Sequence, residues 1–417
     1  MLGFFLSLWA FLFPAEANFA SSYSSRFEHL ISSGGYVITA AGKPLLQHNQ
    51  HESFIPASTI KVATSLAAIK ILGPDYRYKT EFYLSNDAVL FIKGYGDPSL
   101  TSEAITEIVY ALKKRGVRSI SHIALDDTCF EIEESTDWVG NSENPYDAPN
   151  SALAVNYNSI ALRKLGDGTI TTGEKQTPFI PLMNEIGQHL KPGVHRVNVA
   201  AFATKSKSHT SLRYTGELFK AILIREGVDV RGSFQRGQVS DKSQPIYTYS
   251  NPKTVADVIR DCLKFSNNFI ANQLFLSSGS ARYGYPATWN KARRAMDEYL
   301  INGLGGVSTD ISIREGSGLS RKSSVTPASL IAVLEAFKPY ASLLPKNGHF
   351  FIKSGTLSNV YSYAGYFNSD KGLDPFVIIL NQKQNTRQEL LEQLHEFYLE
   401  WLQARQASPL SKPDRLP

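Results

Sequence analysis

The sequence predicts an α/β protein in which an antiparallel sheet flanked by helices is interrupted by an inserted α+β domain. Three observations carry this. Apolar residues recur at spacings of three and four in two segments, first at Val62, Leu66, Ile69 and Leu72, later at Val255, Val258, Ile259 and Leu263 with Phe269, Ile270 and Leu274 beyond. Strand-like runs bounded by turn residues stand near both ends of the chain, at 36–39 and 45–48 and again at 350–353, 360–368 and 375–380. The stretch between about 76 and 243 is long enough for a domain of its own.

In chain order, residues 2–13 form an apolar run that Pro14 breaks, followed by the small-residue cleavage pattern Ala15-Glu16-Ala17. No Lys or Arg precedes the run. A dozen apolar residues fall short of the roughly 20 that span a bilayer. We read 1–17 as a signal peptide cleaved after Ala17, and the mature chain as exported, periplasmic or otherwise extracytoplasmic, with no transmembrane segment. Ala41-Gly42-Lys43 turns 36–39 into 45–48 as a hairpin. A helix follows from about 58 to 72 and ends at Gly73-Pro74.

The inserted domain, 76–243, opens with strands at 80–84 and 88–93, a helix at 102–115 and a strand at 121–125. Loops are expected at 165–177 and over the Ser/Lys/His cluster 204–211, then a helix at 215–225. A second long helical region begins at Ser250-Asn251-Pro252, with Ser250 as its cap and Pro252 in its first turn. Asp370-Lys371-Gly372 joins the last two strands, and a helix at 387–402 closes the chain. The catalytic domain is thus 18–75 with 244–405. The tail 406–417, rich in proline, is expected to be disordered.

The chain has 417 residues, 42% hydrophobic and 19% charged, which excludes a disordered protein and suits two domains. Its net charge of +5 is compatible with an anionic envelope polymer, but no Lys/Arg run is dense enough for nucleic-acid binding. Cys129 and Cys262 are too far apart for a CxxC motif. They fit either one disulfide or two isolated buried thiols. The nine histidines include no HExxH zinc pattern.

Three short motifs carry the chemistry: Ser58-Thr59-Ile60-Lys61, Ser266-Asn267-Asn268 and Lys353-Ser354-Gly355. On a helix, residues three apart share a face, so the Lys61 amine reaches the Ser58 hydroxyl. A serine hydroxyl needs such a base to act as a nucleophile. A lysine serves as that base when burial and neighbouring positive charge, with Lys353 the obvious source, lower its pKa. Each motif alone is weak. Ser250-Asn251-Pro252-Lys253 also fits the first, read as a helix cap with a solvated lysine, and Ser142-Glu143-Asn144 fits the second in a polar loop. The order and setting are what distinguish the set: a helix start after Pro-Ala, a helical region, and the end of an apolar strand.

With these motifs go Leu72-Gly73-Pro74-Asp75-Tyr76, Gly94-Tyr95-Gly96-Asp97-Pro98-Ser99-Leu100, Ser151-Ala152-Leu153-Ala154-Val155-Asn156, Gly316-Ser317-Gly318-Leu319-Ser320-Arg321, Lys353-Ser354-Gly355-Thr356-Leu357 and Ala364-Gly365-Tyr366. Together they resemble the D-alanyl-D-alanine carboxypeptidase/endopeptidase family, the class C low-molecular-mass penicillin-binding proteins, over nearly all of the mature chain. The resemblance implies a β-lactamase/transpeptidase-like catalytic domain and a serine peptidase that acts on peptidoglycan peptides, is acylated by β-lactam antibiotics and uses no metal or organic cofactor. It implies Ser58 as nucleophile, Lys61 as its base, Ser266 as proton relay and Asn268 as the group orienting Lys61 and the substrate amide. It places the substrate carboxylate on Lys353 and Ser354, and the oxyanion on the amides of Ser58 and Thr356, with Gly355 between. Arg321 and, more weakly, Asp147 become candidates for contacting the peptide stem, against surface charge or a local loop bond. Two positions depart from the family: Ser354 stands for the usual Thr, and Glu315 for the usual Asp. A serine β-lactamase shares the motifs, although in class A enzymes the first two lie much closer than 58 and 266 do here. A non-catalytic envelope-binding protein on the same fold is the other alternative, against which the intact motif chemistry argues. The sequence leaves the oligomeric state undetermined.

Overall fold

The computed structural model describes residues 27–133, 138, 142–203, 206–240, 242–304 and 310–407. The apolar leader with its cleavage pattern and the tail from 408 lie outside them. Packing divides the chain into two units, Met1–Thr59 with Val307–Ser312 and Ser324–Pro417, and Ile60–Gly306 with Ile313–Ser323.

The first unit is built on a six-stranded antiparallel sheet. Its order is Lys346–Asn347, Phe350–Leu357, Val360–Ser369, Gly372–Leu380, Gly34–Ala40, Lys43–His48. The hairpin Gly34–Ala40/Lys43–His48 arises where Ala41 and Gly42 adopt positive φ at the turn. One face of the sheet buries Tyr36, Ile38, Phe367, Phe376 and Ile378 against Leu390, Leu394, Phe397 and Tyr398 of the closing helix Arg387–Ala407. Every strand of this sheet comes from 34–48 or 346–380; none comes from 76–243. On its outer side the strand Phe350–Leu357 pairs at Phe350 and Phe351, and Ile352 N donates to Pro345 O, so among the described residues 353–357 present an edge with no neighbouring strand.

The second unit holds a mixed five-stranded sheet ordered Phe234–Arg236, His122–Asp126, Val89–Gly94, Arg77–Leu84, Tyr247–Thr254. The first two pairings are parallel and the last two antiparallel. The helices Ser102–Lys114 and Lys207–Arg225 supply Ile105, Ile108, Val109, Leu218, Phe219 and Ile222 to its core. The unit also holds a three-stranded sheet of Ile170–Thr172, Ser159–Lys164 and Gly193–Asn198 and the helices Lys61–Leu72, Val255–Phe265, Asn268–Tyr283 and Trp289–Gly303. Lys61–Leu72 is buried on all sides from Lys61 to Ile69, which explains why Ala and small polar residues fill the positions between its large apolar ones.

Several elements differ from expectation, each for a local reason. Ser250, Asn251 and Pro252 do not cap a helix; they lie in the strand Tyr247–Thr254, held by pairing with Arg77–Leu84. The cap is Thr254, in a reciprocal capping box with Asp257. The Ser/Lys/His cluster is not all loop, because Ser206 caps a helix that already starts at Lys207 by accepting from His209 N. The long helical region breaks at Ser266, which takes φ 52° and ends Val255–Phe265, and Asn267 recaps the chain for Asn268–Tyr283. The packing division also runs apart from the expected boundaries at 75/76 and 243/244. Tyr247–Thr254 extends the sheet of 77–126, and 255–303 groups with it rather than with the six-stranded sheet. Cys129 and Cys262 are both buried and form no disulfide. No helix among the described residues is long and apolar enough to cross a membrane.

Gly365 lies opposite Ile352 in the central pairing. A Cβ there would fall on the Phe351 carbonyl oxygen and lie 2.9 Å from Ile352 Cα. Gly365→Ala is therefore expected to force the two strands apart and destabilise the protein by about 1–3 kcal/mol, read as a lowered urea midpoint.

Candidate active site

The turn that carries Ser58 is fixed from both sides. Phe54 exchanges backbone hydrogen bonds of 2.9 and 3.0 Å with Val325. The Pro56 carbonyl accepts from Thr59 Oγ1 at 2.7 Å and from Ser362 Oγ at 2.6 Å. Between them Ala57 is fully buried in the left-handed region, φ 49°, a conformation that costs of order 1 kcal/mol for a residue with a Cβ. Ser58 follows, half-buried, in the first turn of Ala57–Ile60, which runs straight on into Lys61–Leu72. The division between the units falls between Thr59 and Ile60, inside this run. Gly355 brings the third motif against the same turn: a Cβ on it would fall on Ser362 Oγ and sit 2.8 Å from both Pro56 O and Ser58 N. Only a residue without a side chain lets that strand approach the Ser58 amide so closely.

In the second unit, Lys61 is wholly buried. Its Nζ donates to Asn268 Oδ1 at 2.8 Å and to the Ser317 carbonyl at 2.6 Å. Burial lowers its pKa from 10.5 to about 8, while the neighbouring Cys262 and Glu315 pull it upward. Desolvation thus does the work; these neighbouring acidic groups oppose it, where the sequence suggested assistance from positive charge.

Glu315 is itself fully buried and organises the loop that faces Lys61. Its carboxylate accepts from Ser317 N and Gly318 N at 2.7 Å, from Ser317 Oγ at 2.6 Å and from Ser320 N at 3.2 Å. Gly316 O accepts from Thr64 Oγ1 at 2.8 Å, and Gly316 N donates to Asn272 Oδ1 at 2.7 Å. The glutamate in place of aspartate therefore leaves the loop fully bonded.

The second motif sits at the helix break. Ser266, half-buried, takes the left-handed C-cap position. Asn268 opens the next helix and, besides accepting from Lys61, donates to Tyr146 O at 3.3 Å. An open cavity of about 690 Å³ lies beside Asn268, lined by Tyr146, Tyr157, Phe265, Arg196 and Lys253 among others. Lys253, of the second Ser-x-x-Lys, is engaged with Asp261 at 2.7 Å. Arg321 follows the Glu315 loop and is exposed. Asp147 is buried and accepts from Ser142 Oγ, the local loop bond named as its alternative role.

The third motif lies in the first unit on the strand Phe350–Leu357. Lys353 is 2% exposed, and its Nζ donates to Ser354 O at 2.6 Å. Strand alternation places Lys353 and Gly355 on one face and the exposed Ser354 and Thr356 on the other. Motif reading missed Arg387, the first residue of the closing helix. Its Nη1 donates to Gly355 O at 2.5 Å, Thr356 Oγ1 at 2.9 Å and Ser362 O at 3.4 Å, and its guanidinium lies 4.5 Å from the Tyr363 ring centre. An arginine at a helix start carries no sequence signal for this; only the folded sheet brings it to the motif. Each unit thus gathers its own share: Ser58, Lys353, Ser354, Gly355 and Thr356 in the first, Lys61, Ser266, Asn268 and Arg321 in the second.

The family model for the D-Ala-D-Ala carboxypeptidase 3 (S13) family matches residues 29–188 and 193–344. The D-alanyl-D-alanine carboxypeptidase of Actinomadura sp. (strain R39) is 25% identical over 422 residues, covering 85% of this chain and 78% of that one. The crystal structure of penicillin binding protein 4 (dacB) from Haemophilus influenzae superposes with a TM-score of 0.72 at 20% identity, covering 87% of this chain and 93% of that one. The penicillin G-acylated Bd3459 predatory endopeptidase from Bdellovibrio bacteriovorus gives 0.52 at 16% identity, over 89% and 92%. At these identities the structural likeness establishes the fold, which is that of the penicillin-recognising α/β proteins.

The lowered pKa of Lys61 has a thermodynamic consequence with a definite sign. Between about 8 and 10.5 the folded chain holds fewer protons at Lys61 than the unfolded chain, so this group's contribution to stability rises with pH across that window. Below it the full cost of burying a charged amine is present. Lys61→Met is expected to lose that rise, at most about 3 kcal/mol. Urea titrations of both proteins at successive pH values check it: wild-type stability minus that of Lys61→Met should increase as pH rises through the window.

Proposed function

We propose that this chain, which belongs to the D-Ala-D-Ala carboxypeptidase 3 (S13) family, cuts D-alanyl peptide bonds in peptidoglycan stem peptides through an acyl-serine intermediate. The observation that carries the reading is the buried Lys61 amine, its pKa near 8, one helical turn from Ser58 and bonded to Asn268. With a pKa near 8, the amine is neutral in roughly a fifth of molecules near pH 7.4, and that neutral form can accept the serine proton.

In this reading Ser58 attacks the carbonyl of the penultimate D-alanine, and Lys61 takes its proton. The backbone amides of Ser58 and Thr356 stabilise the oxyanion. Ser266 passes a proton to the departing amine, and Asn268 orients Lys61 and the substrate amide. Water then hydrolyses the ester and restores Ser58. The close approach of Gly355 to Ser58 N supports the oxyanion assignment. The exposed hydroxyls of Ser354 and Thr356 face the leaving residue's carboxylate, with Lys353 adding positive charge from beneath the strand. Arg321, exposed after the Glu315 loop, reads the peptide stem. We take 76–243 as a domain inserted into a catalytic domain of 18–75 and 244–405, supported by a six-stranded sheet that draws nothing from 76–243. The apolar leader supports an extracytoplasmic location.

Trimming of a terminal D-alanine and cleavage of a cross-link both present a free carboxylate on a D-centre beside the scissile bond. We therefore assign both carboxypeptidase and endopeptidase activity to the one site.

Penicillin is expected to add once to the protein, at Ser58, and intact-mass spectrometry of Ser58→Ala should find no adduct. An adduct that persists on Ser58→Ala sinks the nucleophile assignment. Lys353→Ala should slow D-alanine release from a pentapeptide and monomer release from a cross-linked dimer by similar factors, assayed side by side. Loss of one activity with the other spared would separate the two carboxylate sites.

A further inference from the structure

A carboxylate stripped of water needs a cation with matching geometry. The cation named by the third motif, Lys353, is poorly placed to meet it directly. Its side chain is buried, its Nζ donates to Ser354 O, and alternation along the strand sets it on the face opposite Ser354 and Thr356. The hydroxyls expected to hold the carboxylate therefore have a different charged neighbour, Arg387.

We propose that Arg387 is a specificity-determining residue that, with Ser354 and Thr356, binds the terminal carboxylate of the substrate; this rests on the DD-peptidase reading above. Three observations carry it. Arg387 Nη1 lies 2.9 Å from Thr356 Oγ1, on the exposed face of the motif strand. Because that oxygen accepts from the guanidinium, the hydroxyl proton of Thr356 is left to donate to a ligand. All three hydrogen bonds of Arg387, to Gly355 O, Thr356 Oγ1 and Ser362 O, come from Nη1. The Nε–Nη2 side of the fork, which pairs with a carboxylate through two parallel bonds, has no partner among the described residues. Finally, stacking on Tyr363 and the start of the Arg387–Ala407 helix fix the guanidinium plane before a ligand arrives, so little side-chain freedom is lost on binding.

The competing role is purely structural: Nη1 ties Gly355 to Ser362 and braces the strand pair. The two roles separate on substrate chemistry. The measurement is kcat/KM for a peptide ending in D-Ala-D-Ala as the free acid and as the C-terminal amide, in wild type, Arg387→Gln and Arg387→Lys. Wild type should favour the acid. In Arg387→Gln, folded by circular dichroism, the acid should lose at least about tenfold more than the amide does. Arg387→Lys, which keeps the charge but not the fork, should fall between the two. Equal losses on acid and amide, or no loss on either, would overturn the proposal. If the Gln variant does not fold, the Lys variant decides: acid preference reduced supports the role, acid preference unchanged ends it. Penicillin labelling of wild-type Ser58 in the same preparation keeps the questions apart. No label defeats the DD-peptidase reading itself, whereas a label with an unaltered acid/amide ratio defeats only the role of Arg387.

Discussion

A lysine amine cannot be taken out of water alone, and the arrangement of the second unit follows from housing Lys61. Desolvating an ammonium costs several kcal/mol unless acceptors replace its water. Here they are Asn268 Oδ1 and the carbonyl of Ser317. The first requires the Asn268–Tyr283 helix to begin where it does, which in turn requires the break at Ser266. The second requires the loop from Glu315 to Ser320 to turn its carbonyl inward, and the buried Glu315 carboxylate holds that turn through four hydrogen bonds. The result is an amine with two acceptors and a pKa near 8, low enough to lose its proton and still fully bonded. The same acidic neighbour that shapes the loop keeps the pKa from falling further.

The strand Phe350–Leu357 solves a different problem, that of presenting unlike groups from consecutive residues. Alternation sends Lys353 and Gly355 to one face and Ser354 and Thr356 to the other. Gly355 spends its lack of a side chain on contact with the Ser58 turn. The exposed face is organised by Arg387, which reaches across Tyr363 to the Thr356 hydroxyl. A residue 31 positions downstream of Thr356 thus shares a surface with the motif because the closing helix packs on the sheet through Leu390, Leu394 and Phe397.

Two of the left-handed residues that are not glycine, among others elsewhere in the chain, stand at the motifs. Ala57 and Ser266 both take positive φ without being glycine, and each stands within one residue of a motif or inside it. A left-handed residue ahead of Ser58 turns the chain abruptly from the Phe54–Val325 bridge into the helical run, so that the serine amide faces Gly355 rather than continuing a strand. Ser266 does the same between two helices and delivers its hydroxyl at a corner. Such conformations persist because the surrounding bonds outnumber the preference they oppose.

Patterning alone determined the parts that depend on local periodicity and turn chemistry. The hairpin over 36–48, the helix ending at Leu72, the strands after Phe350 and the closing helix all follow from apolar spacing and turn residues, and the three motifs single out Ser58, Lys61, Ser266, Asn268 and Lys353 as candidates. What spacing could not reach were features set by partners distant in the chain. Ser250 to Pro252 looked like a helix start, and pairing with Arg77–Leu84 made them a strand. Lys253 matched a catalytic pattern, and Asp261 claimed its amine. Glu315 looked like a departure from type, and only the folded loop gave its longer side chain four donors. Arg387 had no pattern at all. Periodicity records which face of an element is buried; it holds no record of which polar atom lies opposite, and the charge and hydrogen bonding of this site are properties of those opposing atoms.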